Sequence, residues 1–172
     1  MKRLNTILLA FLVLVLALGL GAWTNLYNDT TIVVSISPDT MSVSTVGDSV
    51  DTMGYNSVFV LGHIAAEGSI AGETLTAAKY VEFEIEESTG SGVWSDVPDA
   101  SLTNYVAGNN DGTIGKAALA AHQPGTYYAQ YMGSKRWIRI VAATTGDFDA
   151  DEGVIVTALV IRTDAKYKPV TH

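Results

Sequence analysis

The segment Tyr80-Val81-Glu82-Phe83-Glu84-Ile85-Glu86 alternates apolar and acidic side chains without a break. Successive side chains of a β-strand point to opposite faces, so Val81, Phe83 and Ile85 share one face while Glu82, Glu84 and Glu86 share the other. The pattern predicts a strand with one buried face and one solvated acidic face, as in an antiparallel sheet. A loop bearing two glycines, Ser88-Thr89-Gly90-Ser91-Gly92, then leads into Val93-Trp94-Ser95-Asp96-Val97, which predicts a hairpin.

Reading outward from this hairpin, short runs rich in Val, Ile, Thr, Tyr and Phe alternate with clusters of Gly, Asn, Asp and Ser. They place further strands at Thr31 to Ile36, Met41 to Thr45, Ser57 to His63, Thr126 to Met132, Arg136 to Thr144 and Val154 to Arg162. With Lys79 to Ser88 and Val93 to Val97, the expected fold is all-β, an antiparallel β-sandwich or barrel of about eight strands. Thr113 to Ala121 (TIGKAALAA) is short and Ala-rich and predicts a helical turn over a sheet edge.

Composition agrees with one main domain: 172 residues, 48% hydrophobic, 16% charged, with sixteen glycines for turns. Eighteen acidic and ten basic residues give −8. Lys2 and Arg3 precede the body, which therefore carries −10 and repels phosphate backbones, so sequence-specific nucleic-acid binding is not expected. The absence of cysteine excludes disulfides, Cys nucleophiles and thiolate metal sites.

Residues 4 to 23 (LNTILLAFLVLVLALGLGAW) carry no charge, and about 20 such residues in a helix span a bilayer core. Leu8, Phe11, Leu14 and Leu18 lie along this stretch, with Trp23 at the interfacial position and Lys2 and Arg3 at the positive-inside end. The expectation is a hydrophobic anchor at 1–23, a junction at 24–30 and a β-domain at 31–172. A cleaved secretory signal and a helix buried in an oligomer are the alternatives.

Catalytic motifs are scarce. His63, His122 and His172 are far apart, with no HxxxH or HExxH spacing, and GxSxG, GxxxxGK[ST] and a strand-following GxGxxG are all missing. Glu82, Glu84, Glu86 and Glu87 read as a solvated face rather than as a glycosidase pair. Asp147, Asp149 and Asp151 alternate in a loop, DFDADEG, that begins like a Ca²⁺-binding EF-hand. The match then fails, with Glu152 where glycine is required and Ala158 where a bidentate glutamate is required. Asn109-Asn110-Asp111-Gly112 is turn chemistry. Tyr127, Tyr128, Tyr131 and Trp137 fall near Lys135, Arg136 and Arg139, which the acidic balance turns from a nucleic-acid platform into half core and half subunit interface.

The order of these pieces resembles the small virion proteins encoded beside the major capsid protein in tailed bacteriophages, described as head decoration, cement or capsid-stabilising proteins. The matching residues are Gly47-Asp48-Ser49-Val50-Asp51 leading to Gly54-Tyr55-Asn56-Ser57-Val58-Phe59-Val60, and Val81 to Ser88 with Trp94-Ser95-Asp96-Val97. They continue with Tyr131-Met132-Gly133-Ser134-Lys135-Arg136-Trp137-Ile138-Arg139-Ile140 and Val156-Thr157-Ala158-Leu159-Val160. In that family the penultimate piece reads as tyrosine, a glycine pair or Gly-Ser, then Lys-Arg-Tyr and an alternating Val-Arg-Val strand. The resemblance spans about residues 36 to 162.

It implies no catalytic residues, and contacts with the major capsid protein and with copies of the chain itself, with Tyr131, Lys135, Arg136, Trp137 and Arg139 expected at the interface. The hydrophobic anchor and the more acidic DFDADE loop depart from the family. The anchor implies a virion with a membrane under its shell, lipid being contacted through residues 4–23. Two rivals are a membrane-anchored cell-envelope domain, with a carbohydrate or protein cleft around Trp94 or Trp137, and a small secreted hydrolase using carboxylates. An apolar, exposed patch on the body would favour assembly over both.

Overall fold

A computed structural model describes residues 30–65, 74–90, 92–148 and 153–165. The expected anchor, with Leu8, Phe11, Leu14, Leu18 and Trp23, lies outside the described residues, and no described helix is long and apolar enough to cross a membrane. The described chain is all-β and antiparallel. Its strands are β1 (Thr31–Met41), β2 (Thr45–Val46), β3 (Val50–Asp51), β4 (Tyr55–Ile64), β5 (Tyr80–Ser88), β6 (Ser95–Asp96), β7 (Thr113–Ala117), β8 (Gly125–Tyr131), β9 (Trp137–Thr145) and β10 (Val154–Ala165).

They form two sheets packed as a sandwich, which resolves the choice left open between sandwich and barrel. The first sheet has the order β1-β10-β4-β8; the second has β2-β9-β5-β6, with β3 also on β9 and β7 also on β5. The alternation in β5 is realised: Val81, Phe83 and Ile85 are fully buried between the sheets. Ile138, Ile140 and Ala142 of β9 join them, facing Val58, Val60 and Ile64 of β4 and Val156, Ala158 and Val160 of β10.

Two glycines let the sheets interlock. A Cβ on Gly62 of β4 would lie 2.5 Å from the Phe83 ring, and one on Gly115 of β7 would lie 2.1 Å from Tyr127. Each glycine thus gives an aromatic from the opposite sheet room to seat against backbone, and the Phe83 and Tyr127 rings meet at 5.9 Å between centroids.

Three local expectations are corrected. Thr113 to Ala121 is not a helical turn over an edge: residues 113–117 form β7, paired with β5, and only Ala120–His122 makes a 3₁₀ turn. Pairing with β5 buries Ile114 and Ala117, and that burial overrides the helical preference of alanine. Met41 to Thr45 is not a separate strand, because β1 itself runs to Met41, shifting register after Val34 and Ile36, before the chain crosses to β2 in the other sheet. Of Val93 to Val97, only Ser95–Asp96 pairs.

Candidate interaction surface

The residues expected at an interface are largely engaged within the chain. Tyr131 is only 5% exposed. Its hydroxyl donates to Glu87 Oε2 at 2.7 Å and accepts from the Lys135 backbone N–H at 3.1 Å. Burial, reinforced by the hydrogen bond to Glu87, pushes its phenol well above the ordinary value.

Arg136 makes a forked contact with Asp51, Nε at 3.1 Å and a terminal nitrogen at 2.7 Å from Oδ2, and holds the Asp51 carboxyl below its usual range. The Arg136 guanidinium also lies 5.1 Å from the Trp137 ring. Arg139 pairs with Glu86 and stacks 4.3 Å above Trp94. The carbonyls of Lys135 and Arg136 accept the Thr52 hydroxyl, at 3.1 and 2.9 Å. This group is a brace joining β3, β5, β8 and β9.

The acidic stripe of β5 is not a freely solvated face either. Register sets Glu82 opposite Lys116 and Glu86 opposite Arg139. Lys116 bridges Glu82 at 3.1 Å and sits 3.6 Å over the Tyr80 ring, while Asn109 donates to Glu82. Glu82 and Glu87 are each 8% exposed, against the solvated reading. Glu84 has no cation opposite it; burial and the neighbouring charges of Glu82, Asp96 and Glu86 raise its pKa. Asp96 is raised in the same sense, by burial and then by Glu86 and Asp111.

Chemistry is not gathered elsewhere among the described residues. His63 Nδ1 lies 2.9 Å from the Thr126 hydroxyl, and His122 Nδ1 accepts the Ala118 N–H at 3.2 Å, in separate parts of the molecule. No described group of three His, Cys, Asp or Glu residues is placed to hold a metal. Of the DFDADE loop, Asp147 is described, while Asp149 and Asp151 lie outside the described residues.

The outward face of the first sheet is different in kind. Residues paired directly across antiparallel strands share a face. One row therefore runs Val34, Leu159, Leu61, Tyr128, and the next runs Ile32, Ile161, Phe59, Gln130. Ile32 is 61% exposed, Val34 47%, Phe59 40% and Tyr128 64%, with Leu61, Leu159 and Ile161 half-buried among them. A third row, Thr157, His63, Thr126, rims the patch. None of these eleven positions carries an acidic or basic side chain apart from His63.

Tyr127 and Tyr128 thus separate, the first into the core and the second into this patch. The sequence does carry a signal for the patch. Val58-Phe59-Val60-Leu61 and Leu159-Val160-Ile161 are apolar at consecutive positions rather than alternate ones, the mark of a strand covered on both faces.

No family model and no curated protein matches the chain. Among solved structures, the chain is similar to the SPBc2 prophage-derived protein YomS, with a TM-score of 0.46 and 10% identity over 79% of this chain and 94% of that one.

Proposed function

We propose that the protein is a non-enzymatic structural component of a bacteriophage virion. It decorates, cements or fills a vertex of the capsid, held by its N-terminal apolar segment, with the major capsid protein and copies of itself as neighbours. The observation that carries this reading is the uncharged apolar face formed by Ile32, Val34, Phe59, Leu61, Tyr128, Leu159 and Ile161. A contiguous apolar patch of this kind on a strongly acidic body marks a surface that is covered when the protein works. The order of the sequence pieces, which resembles that of capsid-decorating phage proteins, points the same way.

The rival envelope reading needs an accessible aromatic cleft at Trp94 or Trp137. Both rings are flanked by arginines already paired with carboxylates, Arg139 over Trp94 and Arg136 beside Trp137, which leaves that reading less support. A role in assembly also needs no single strong contact, because weak contacts repeated over many copies stiffen a shell.

The test is mass spectrometry of proteins and lipids in native particles purified from the source. The full-length chain together with an abundant capsid protein is the expected result, with phospholipid present if residues 4–23 sit in a membrane. Absence of the chain from capsid-containing particles would overturn the reading.

A further inference from the structure

We infer that the outward face of the first sheet binds the same face of a second copy of this chain. The inference rests on the assembly reading above and names the occupant of the surface. Three observations carry it.

The first is charge. Beyond Lys2 and Arg3 the chain carries −10, so two copies repel through most of their surface, yet no Asp, Glu, Lys or Arg occupies the rows from Ile32 to Tyr128. Like-charged molecules approach at least electrostatic cost through their one uncharged sheet face.

The second is area. Four strands about 4.8 Å apart and about eight residues long present a face on the order of 500 Å². Two such faces together bury about 1,000 Å², which reaches the lower limit for a specific contact and belongs to the weak, multiplied kind.

The third is shape. The sheet order β1-β10-β4-β8 puts Val34 at one margin and Tyr128 at the other within the same row. A two-fold axis parallel to the strands lays β8 of one copy over β1 of the other. The large, 64% exposed Tyr128 then meets the smaller Val34, and Leu61 meets Leu159.

The chain contains no cysteine, so introduced ones report without background. Full-length chain in mild detergent, carrying Leu61→Cys, is treated with a short bifunctional maleimide beside a Glu84→Cys control on the opposite outer face. Dimers at Leu61→Cys but not at Glu84→Cys are expected, and mixing Val34→Cys with Tyr128→Cys chains is expected to give mixed dimers in excess of either self-pair. Leu61→Glu, checked for fold by circular dichroism and backed by the milder Tyr128→Ser, is expected to raise the dissociation constant at least tenfold in sedimentation equilibrium.

Equal cross-linking at both faces, or an unchanged dissociation constant in both variants, would overturn the inference. So would a Leu61→Cys that resists labelling while the chain stays monomeric, since residues 7–23 would then be the cover. The two proposals fail separately. A chain found in particles but monomeric in solution removes only the self-contact, whereas a chain that dimerises through this face yet is absent from particles removes only the virion role.

Discussion

The two sheets bury similar side chains inward and present opposite surfaces outward. Outside the second sheet, Glu82, Glu86, Lys116 and Arg139 face one another across strands, and their charges are matched by register. Outside the first, the rows through Leu61 and Phe59 are uncharged from one edge strand to the other, and apolar but for Gln130 at the β8 end of the second. A face of paired charges is complete without a partner molecule, since each partly buried ion already has its counter-ion across the strand. A face of leucine, isoleucine and phenylalanine is not, because its removal from water stabilises only when another surface arrives. The difference teaches which side of the molecule is finished and which awaits a partner.

The largest effect tests whether both faces hang on one core. Phe83→Ala removes the ring seated against Gly62 and is expected to cost about 3–5 kcal/mol in urea unfolding, with one transition for both sheets. Two separate transitions would mean that the faces belong to independent units. Next, Tyr131→Phe deprives the buried Glu87 carboxylate of its hydroxyl donor and is expected to cost about 1–3 kcal/mol. A cost near zero would show that the brace around Lys135 and Arg136 stands without it.

Arg139→Glu sets a glutamate beside Glu86 and uncovers Trp94, for an expected loss of about 1 kcal/mol. Particle incorporation should survive at temperatures where the variant is folded. Loss of incorporation from a folded variant would return the interface to the second sheet. Leu61→Glu should do the reverse, costing about 1 kcal/mol at this half-buried position but staying folded while losing association.

The smallest effect concerns protons. Glu84 and Asp96 hold their protons more tightly in the folded chain than in the unfolded one. Stability from these two groups is therefore fully present at acid pH and is lost as pH rises from the ordinary carboxylate value through their raised ones. Asp51, lowered by Arg136, acts oppositely: its contribution is present above the ordinary value and lost as pH falls through the lowered one. Glu84→Gln is expected to stabilise the protein at neutral pH by about 0.5 kcal/mol and to flatten the acid side of the profile. An unchanged profile would mean that the acidic face is already relaxed by solvent.

Much of the fold was legible because alternation is a local consequence of strand stereochemistry. Val81, Phe83 and Ile85 point inward as their spacing requires, and the strands of Ser57 to His63, Thr126 to Met132, Arg136 to Thr144 and Val154 to Arg162 lie close to where their apolar runs place them. The helical turn at Thr113 failed because pairing with β5 is non-local and outweighs the helix preference of a few alanines. The intrachain pairing of Arg136 and Arg139 was not legible for a related reason. A cation in a sequence shows its charge, while the carboxylate that register brings opposite it, Asp51 or Glu86, lies 85 or 53 residues away.

The chain alone determined most of its long strands, the inward side chains of β5, its acidic balance, and that the strands holding Phe59-Val60-Leu61 and Leu159-Val160-Ile161 are apolar on both faces. Periodicity and composition need only neighbours along the backbone. That these strands lie side by side, so that Val34, Leu159, Leu61 and Tyr128 fall in one row while the glutamates meet arginine and lysine on the far side, was decided by the tertiary structure. Strand order and register are set by contacts between residues distant in sequence, and only those contacts turn scattered apolar residues into a surface.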